Sequence, residues 1–458
     1  QVLKEISPVG NLTVNGGTEV TITALAYEGA SVTANVNGTS VTLRATTTED
    51  DSTEKESSYI LYTGVYKTPG ATNAVQSIGN IKVTSSWQGI TEGLSGASIK
   101  INKLASIGDG KPVEISVTEA ETFPSTTLND ISDSGCYPLP AGARDYTLGE
   151  QIVYREGNST FTYYNLASGM RVYANSVRSI SKGVEDNVIN GLSVVADSRY
   201  TKLNLFTQQQ VSYTLSYSSS QITIEFHNTK SVPGNLTLNK NPLFTSATWS
   251  GSTLRLKLRK SGGFLGFKPY YEDGVLVFRF NNPPALSGGG LGGAYIVVDP
   301  GHGGSDPGAL GSHPDFPEKV VNFEIAERLA DILKSRGANV TMLREKDTYI
   351  SLDSRVNQAK SYNPNLFVSI HNNASTSTTA TGSEAYYFRP FASELASNIA
   401  DYTSSALVTN NRGGKFGRYY VTRVAQYPAV LAECGFVTTV GEYKKLRSSS
   451  YQDKIATG

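Results

Sequence analysis

The 458-residue sequence predicts a multidomain chain in which three N-terminal all-β domains precede an α/β domain with a mainly parallel sheet flanked by helices. Two observations carry this prediction. The first 290 residues are rich in Thr, Ser, Asn, Gly and Tyr and poor in long amphipathic helical patterns, a composition suited to short strands and turns. Beyond a glycine-rich run at 287–293 the pattern changes to buried strands alternating with helical spacing.

Residues 1–103 are expected to form a β-sandwich of immunoglobulin-like type. Runs such as Val20-Thr21-Ile22-Thr23-Ala24-Leu25, Tyr59-Ile60-Leu61-Tyr62 and Ile81-Lys82-Val83 alternate in polarity and are separated by Asn-Gly and Gly-rich turns. The polar stretch 47–57 reads as an exposed loop within that unit, because a boundary there would leave pieces too short to fold. Residues 104–182 contain Cys136-Tyr137-Pro138-Leu139-Pro140-Ala141-Gly142 and Gly169-Met170-Arg171-Val172-Tyr173, whose spacing of turns and aromatics resembles a bacterial SH3-like small barrel. In 183–284, Lys202-Leu203-Asn204-Leu205, Gln221-Ile222-Thr223-Ile224 and Leu254-Arg255-Leu256-Lys257-Leu258 are period-two strands. That unit looks like the AMIN localisation domain.

Residues 285–293 read as a Gly-rich linker in which nothing packs or holds a rigid backbone. In 294–458, apolar strands are read near 295–298, 339–343, 366–370 and 429–431. Val321, Ile325, Leu329 and Leu333 recur at helical spacing, with Pro317 before them and Gly337 after Lys334 and Arg336.

The charge balance narrows the function classes. Forty basic residues against 40 acidic ones give no net field, so neither nucleic acid nor a polybasic membrane anchor is expected as a partner. No apolar run approaches the roughly 20 residues needed to span a bilayer. Gln1 opens in polar sequence, so any targeting segment is expected to have been removed. Cys136 and Cys434 fall in different units, which excludes an intradomain disulfide framework. No phosphate-cradling Gly loop with Lys is present, and residues 1–283 contain one His and one Cys, isolated from each other.

Chemistry concentrates in the last unit. Of four histidines, His302 and His371 stand at or just beyond the ends of hydrophobic strands, where α/β folds place their sites. Glycines around His302 free the backbone to turn and leave the imidazole accessible. Glu318 opens the helix between those strands, where the positive helix terminus favours its ionised form. Two imidazoles and a carboxylate are a common catalytic zinc set with a fourth position for water. Glu433 ends the apolar strand Pro428-Ala429-Val430-Leu431-Ala432, and burying a carboxylate there is costly without a partner or a role. Each residue also has a structural reading: a surface or packed His, a dipole-stabilising Glu, an ion-paired Glu. Cys434 reads as a packed core thiol, since its neighbour Glu433 faces the other way on a strand. His313 is a rival ligand in a Ser-His-Pro-Asp loop, and His227 reads as a surface residue.

Taken in order, Asp299-Pro300-Gly301-His302-Gly303-Gly304, Pro317-Glu318-Lys319, Ser369-Ile370-His371-Asn372-Asn373-Ala374 and Leu431-Ala432-Glu433-Cys434-Gly435-Phe436 resemble the zinc N-acetylmuramoyl-L-alanine amidases of the Amidase_3 family. Gly308-Ala309, Arg344, Leu352 and Arg355 are supporting positions. The resemblance implies Zn2+ held by His302, Glu318 and His371, with Glu433 as catalytic acid/base. It also implies a peptidoglycan substrate cut between N-acetylmuramic acid and L-alanine, and an extracytoplasmic place of action. Cys434 departs from the larger apolar residue also familiar there, and 458 falls before a usual last helix would finish. The rival expectations are a zinc peptidase acting within the stem peptide and an inactive cell-wall-binding protein. The β units are expected to bind the cell wall, raising local substrate concentration.

Overall fold

The computed structural model describes residues 1–458 except 46–58, 104–109, 126, 129–135, 157–158, 235–237, 288–289, 312–315, 376 and 378. The loop read at 47–57 and the rival ligand His313 lie outside the described residues.

In the first unit, alternation sends Val20, Ile22, Ala24 and Ala26 of Glu19–Tyr27 to one side, all but fully buried. Leu3–Ser7, Glu19–Tyr27 and Tyr59–Lys67 pair on one side, and Ser31–Val36, Gln76–Trp87, Ile90–Ile101 and Asn11–Val14 on the other. Thr39–Ala45 pairs into both groups. The next unit curls Pro112–Ile115, Arg144–Glu156, Ser159–Leu166, Met170–Tyr173 and Val177–Ser179 around a 3-10 turn at Ala174–Ser176. Its longest strand touches the first unit at Val153 and Thr13, so the strands form one continuous 15-stranded sheet. A third unit stacks a five-stranded sheet on a four-stranded one, with Phe226, Phe244, Phe264, Phe267, Phe278 and Phe280 between them. Buried residues of the second and third units join in a single core cluster.

The last unit contains β1 (Tyr295–Pro300), α1 (Glu318–Ser335), β2 (Asn339–Met342), α2 (Leu352–Tyr362), β3 (Leu366–Asn373), β4 (Ser383–Tyr387), α3 (Ser393–Leu407), β5 (Asn411–Phe416), β6 (Ala429–Phe436), α4 (Val440–Leu446) and α5 (Ser449–Thr457). The strand order is β2-β1-β3-β6-β4-β5, and every neighbouring pair is parallel except β6 with β4. Strand alternation divides the core. Val298, Val368, Ile370, Val430 and Cys434 pack toward Val321 and Ile325 of α1 and Ala396 of α3. Val297, Phe367, Ala429 and Leu431 pack toward Ala359 of α2 and the segment containing Val421 and Tyr427.

The described residues of the glycine-rich run do not behave as the expected free spacer. Leu291 N donates to Arg336 O at 2.7 Å, and Ser287 N donates to Gly292 O at 3.0 Å. A Cβ on Gly290 would lie 2.5 Å from Arg336 O, so the glycine permits the chain to press against the end of α1. The composition that signals flexibility here serves a close backbone approach.

The β units also pack on the last unit. Ala425 belongs to their core, Phe267 N donates to Ala425 O at 2.8 Å, and the Phe264 and Phe391 rings lie 4.9 Å apart. Gly266 makes this approach possible: its φ is +90°, and a Cβ there would stand 2.6 Å from Ala425 O. Gly266→Val should therefore lower the thermal midpoint of the last unit more than Gly274→Val, whose φ of +81° is as strained but whose Cβ would meet open space. Calorimetry reads the difference, and equal effects of the two substitutions would refute this role.

Candidate metal centre

Asp299, Ser369, His371 and Glu433 share the strand parity of Val297, Phe367 and Leu431, which directs them to the α2 side of the sheet. Parallel pairing aligns Asp299 with Ser369, and His371 with Glu433. His302 follows β1 in the left-handed region, φ 59°, which costs a non-glycine residue of order 1 kcal/mol or more. The surroundings impose that conformation. Arg355 donates to Pro300 O at 2.9 Å, to His302 O at 2.6 Å and to the Asp299 carboxylate. Arg344 donates to Pro300 O at 3.0 Å, Gly301 O at 3.1 Å and Lys319 O at 2.8 Å. Two buried guanidiniums thus take up the carbonyls of three successive loop residues.

Glu318 begins α1 and is 4% exposed. Its Oε1 accepts from His371 Nδ1 at 3.0 Å, Asn322 Nδ2 at 3.0 Å and Asn372 N at 3.2 Å. The other oxygen accepts from Ala309 N at 3.0 Å and lies 3.2 Å from His302 Nε2. Burial would push this carboxyl up, but hydrogen bonds and charge from His302 and His371 hold it well below the usual carboxylate range. Burial likewise opposes charge on His302, yet Glu318 and Asp306 outweigh it and push the imidazole up to about 9. Two glycines make room: a Cβ on Gly308 would lie 2.5 Å from Glu318 Oε2, and one on Gly301 would lie 2.3 Å from the His371 ring.

The structure therefore brings His302, Glu318 and His371 together, with one potential ligand atom from each, all within 4.8 Å of one another. These three and Glu433 line a cleft of about 890 Å3. Cys434 sits in the opposite core, where burial pushes its thiol up. His227, read from the sequence as a surface residue, is half-buried in the third unit: its backbone N donates to Ser212 O at 3.1 Å, and burial pushes its imidazole down.

Three further residues escaped sequence reasoning. Asp306 Oδ2 lies 2.8 Å from His302 Nδ1, which leaves Nε2 on the Glu318 side. Its Asp-Pro-Gly setting reads simply as a turn. Asn322, four residues after Glu318 on one helix face, donates to that carboxylate; the spacing was the available signal. Glu384, aligned with Glu433 across β4 and β6, is buried and accepts from Asn373 Nδ2 and Tyr386 Oη at 2.8 Å, Arg412 Nε at 2.8 Å and Lys415 Nζ at 2.7 Å.

Residues 296–458 match the N-acetylmuramoyl-L-alanine amidase family, Amidase_3. The uncharacterized protein YqiI of Bacillus subtilis is 39% identical over 168 residues, 36% of this chain and 80% of YqiI. The chain belongs to the Amidase_3 family. The N-acetylmuramoyl-L-alanine amidase LytC of Bacillus subtilis is also 39% identical over 168 residues, 36% of this chain, but the match spans only 34% of LytC. Among solved structures, the catalytic domain of CwlV from Bacillus (Paenibacillus) polymyxa var. colistinus is 35% identical over 36% of this chain and 92% of that one, with a TM-score of 0.34. The N-acetylmuramoyl-L-alanine amidase from Clostridium difficile 630 is 36% identical over 36% and 91%, with a TM-score of 0.35.

The electrostatics of this cluster set a pH signature for the metal-free protein. His302 is raised from 6.5 to about 9, so its contribution to stability is fully present below pH 6.5 and is lost as pH rises through about 9. The lowered Glu318 contributes above pH 4.5 and loses its contribution as pH falls. In chelator-treated protein, the unfolding free-energy difference between wild type and His302→Gln should be largest between these limits and shrink toward pH 10 (about one unit above the raised value). A difference independent of pH across that range would contradict the assignment.

Proposed function

We propose that this protein is a zinc-dependent N-acetylmuramoyl-L-alanine amidase that hydrolyses the amide joining N-acetylmuramic acid to L-alanine of the peptidoglycan stem peptide. The convergence of His302, Glu318 and His371 in a cleft shared with Glu433, inside the segment matched by the family, carries this reading. Two imidazoles and a carboxylate suit zinc, and a carboxylate on the remote nitrogen of a ligand histidine, as Asp306 offers His302, is the usual support for such a ligand. Zinc at these residues supplies Lewis acidity, which polarises a carbonyl and lowers the pKa of water to about 7.

The remaining work falls to the chain. Asn322 and the backbone N–H groups of Ala309 and Asn372 orient the Glu318 carboxylate and keep it ionised. Arg344 and Arg355 fix the loop that presents His302. Glu433 takes the proton of the attacking water and returns it to the departing L-alanine nitrogen, acting in turn as general base and acid. The scissile amide thus lies across the cleft between the His302 loop and the end of β6.

The action is extracytoplasmic, on bacterial cell wall, in keeping with the substrate. Among the described residues no helix is long and apolar enough to cross a membrane. The preceding units, read as immunoglobulin-like, SH3-like and AMIN-like, bind the cell wall and hold the enzyme on its polymer.

Digestion of purified peptidoglycan followed by mass spectrometry tests the bond. Free stem peptides beginning with L-alanine, with intact glycan strands, are expected; internally cut peptides would instead identify a peptidase, and no release an inactive binder. Glu433→Gln should keep bound zinc, measured by metal analysis, while turnover falls at least about 100-fold. Turnover close to wild type would remove Glu433 from the mechanism.

A further inference from the structure

The segment Arg418–Tyr427, between β5 and β6, has two contrasting sides. On one, Tyr419, Tyr420 and Val421 line the catalytic cleft. The other is held by the N-terminal β units. Glu119 and Glu121, two residues apart in extended chain, both face it, while Ala120 and Thr122 between and beside them are buried. Glu119 accepts from Gln426 Nε2 at 3.0 Å and pairs with Lys360 of α2 at 3.5 Å. Glu121 pairs with Arg423 at 3.2 Å and with Arg418 at 3.5 Å. These arginines flank the cleft-lining residues, so one carboxylate staples both ends of a short turn, Tyr420–Thr422.

A continuous set of contacts leads from that staple to the cleft. The Arg423 guanidinium lies 4.4 Å from the Tyr420 ring centroid, and the Tyr420 hydroxyl donates to Asp353 in the first turn of α2. Arg418 lies 4.9 Å from the Phe123 ring of the small barrel. Beside Tyr420, the Tyr419 ring packs 4.8 Å from Tyr386, whose hydroxyl donates to Glu384. Tyr420 is 38% exposed on the cleft side, so its ring is available to a substrate while its position depends on Arg423.

We propose that Glu121, 302 residues from Arg423 in sequence, is a positioning residue that sets the cleft wall of the amidase through Arg423 and Tyr420. The small barrel is thereby part of the substrate-binding apparatus and not only a wall anchor. Glu121 touches no reacting group. Its carboxylate restrains the guanidinium that covers Tyr420, and the restrained ring keeps its face toward the substrate. The inference rests on the amidase reading, because the cleft wall matters only to a ligand that enters it.

The test uses the full chain carrying Glu121→Gln, Arg423→Gln or both, with soluble muropeptide as substrate, so that wall anchoring does not enter. Each single variant should raise KM roughly three- to thirtyfold with a smaller change in kcat, as misplacement of a binding surface does. The double variant should be no worse than the poorer single, since both remove the same contact. Charge reversal by Glu121→Arg with Arg423→Glu should recover part of the loss, which a merely folding-related defect would not do. Hydrogen exchange gives a readout independent of turnover: amides of 419–423 should exchange faster in Glu121→Gln, while the thermal midpoint and zinc content stay near wild type. Wild-type KM and wild-type exchange in both single variants would overturn the proposal. A wild-type chain that releases no stem peptide would instead defeat the amidase reading, while faster exchange in the variants would still support the staple.

Discussion

A buried negative charge on Glu318 is the constraint around which the site is built. Desolvating a carboxylate costs several kcal/mol unless charge and hydrogen bonds offset it. Here the offset comes from His302, His371, Asn322 and two backbone N–H groups, drawn from the β1 loop, the end of β3, α1 itself and the approach to α1. Each donor must arrive within hydrogen-bond distance, and that requirement explains local features that would otherwise look unrelated. Gly308 is small because Glu318 and His302 occupy the space of its Cβ; Gly301 is small because the His371 ring does. The left-handed backbone at His302 belongs to the same requirement, and Arg344 and Arg355 stabilise it by bonding the carbonyls of that loop.

Sheet order then turns a local cluster into a cleft. Adjacent β1, β3 and β6 run parallel, so their C-terminal ends lie together and deliver Asp299, His371 and Glu433 on one side. On the other side the same alternation buries Cys434 with Val298 and Val430. The antiparallel strand β4 aligns Glu384 with Glu433, and the bonds of Glu384 to Arg412 and Lys415 join β5 to that edge. A carboxylate fully withdrawn from water in this way is structural support for the cleft, whereas Glu433 lines the cleft itself.

Much of this was legible because it is local. The 3.6-residue spacing of Val321, Ile325 and Leu329 marks α1, and Pro317 marks its start. The apolar runs before His371 and Glu433 mark β3 and β6, so both residues stand out as polar groups at the ends of buried strands. Asp306 was hidden because a turn-forming Asp and a histidine-orienting Asp have the same sequence appearance. The glycine run was misread for a related reason: glycine permits both flexibility and close approach, and only the proximity of Arg336 decides between them. His227 shows the same limit, since its partial burial depends on residues such as Ser212 that folding brings beside it. Contacts between units were illegible altogether. Glu121 and Arg423 are an unremarkable acid and base on separate parts of the chain until folding brings them together.

Packing between the units changes what anchoring would accomplish. If a flexible tether joined the β units to the amidase, attachment would raise the effective substrate concentration but leave the cleft free to rotate. Here Ala425 enters the core of the β units, Asn281 Nδ2 donates to Gln426 O at 2.6 Å, and Arg279 Nη2 donates to Asn363 Oδ1 at 2.9 Å. At the end of α1, Gly290 and Leu291 lie against Arg336. A wall polymer bound by these β units would therefore meet a cleft in a set orientation. Concentration and orientation would act differently: the first raises occupancy, and the second selects which parts of a bound polymer can enter the cleft. Because this orientation is held by contacts of the second and third β units with the last unit, it is a property of the folded chain, and no motif in the sequence carries it.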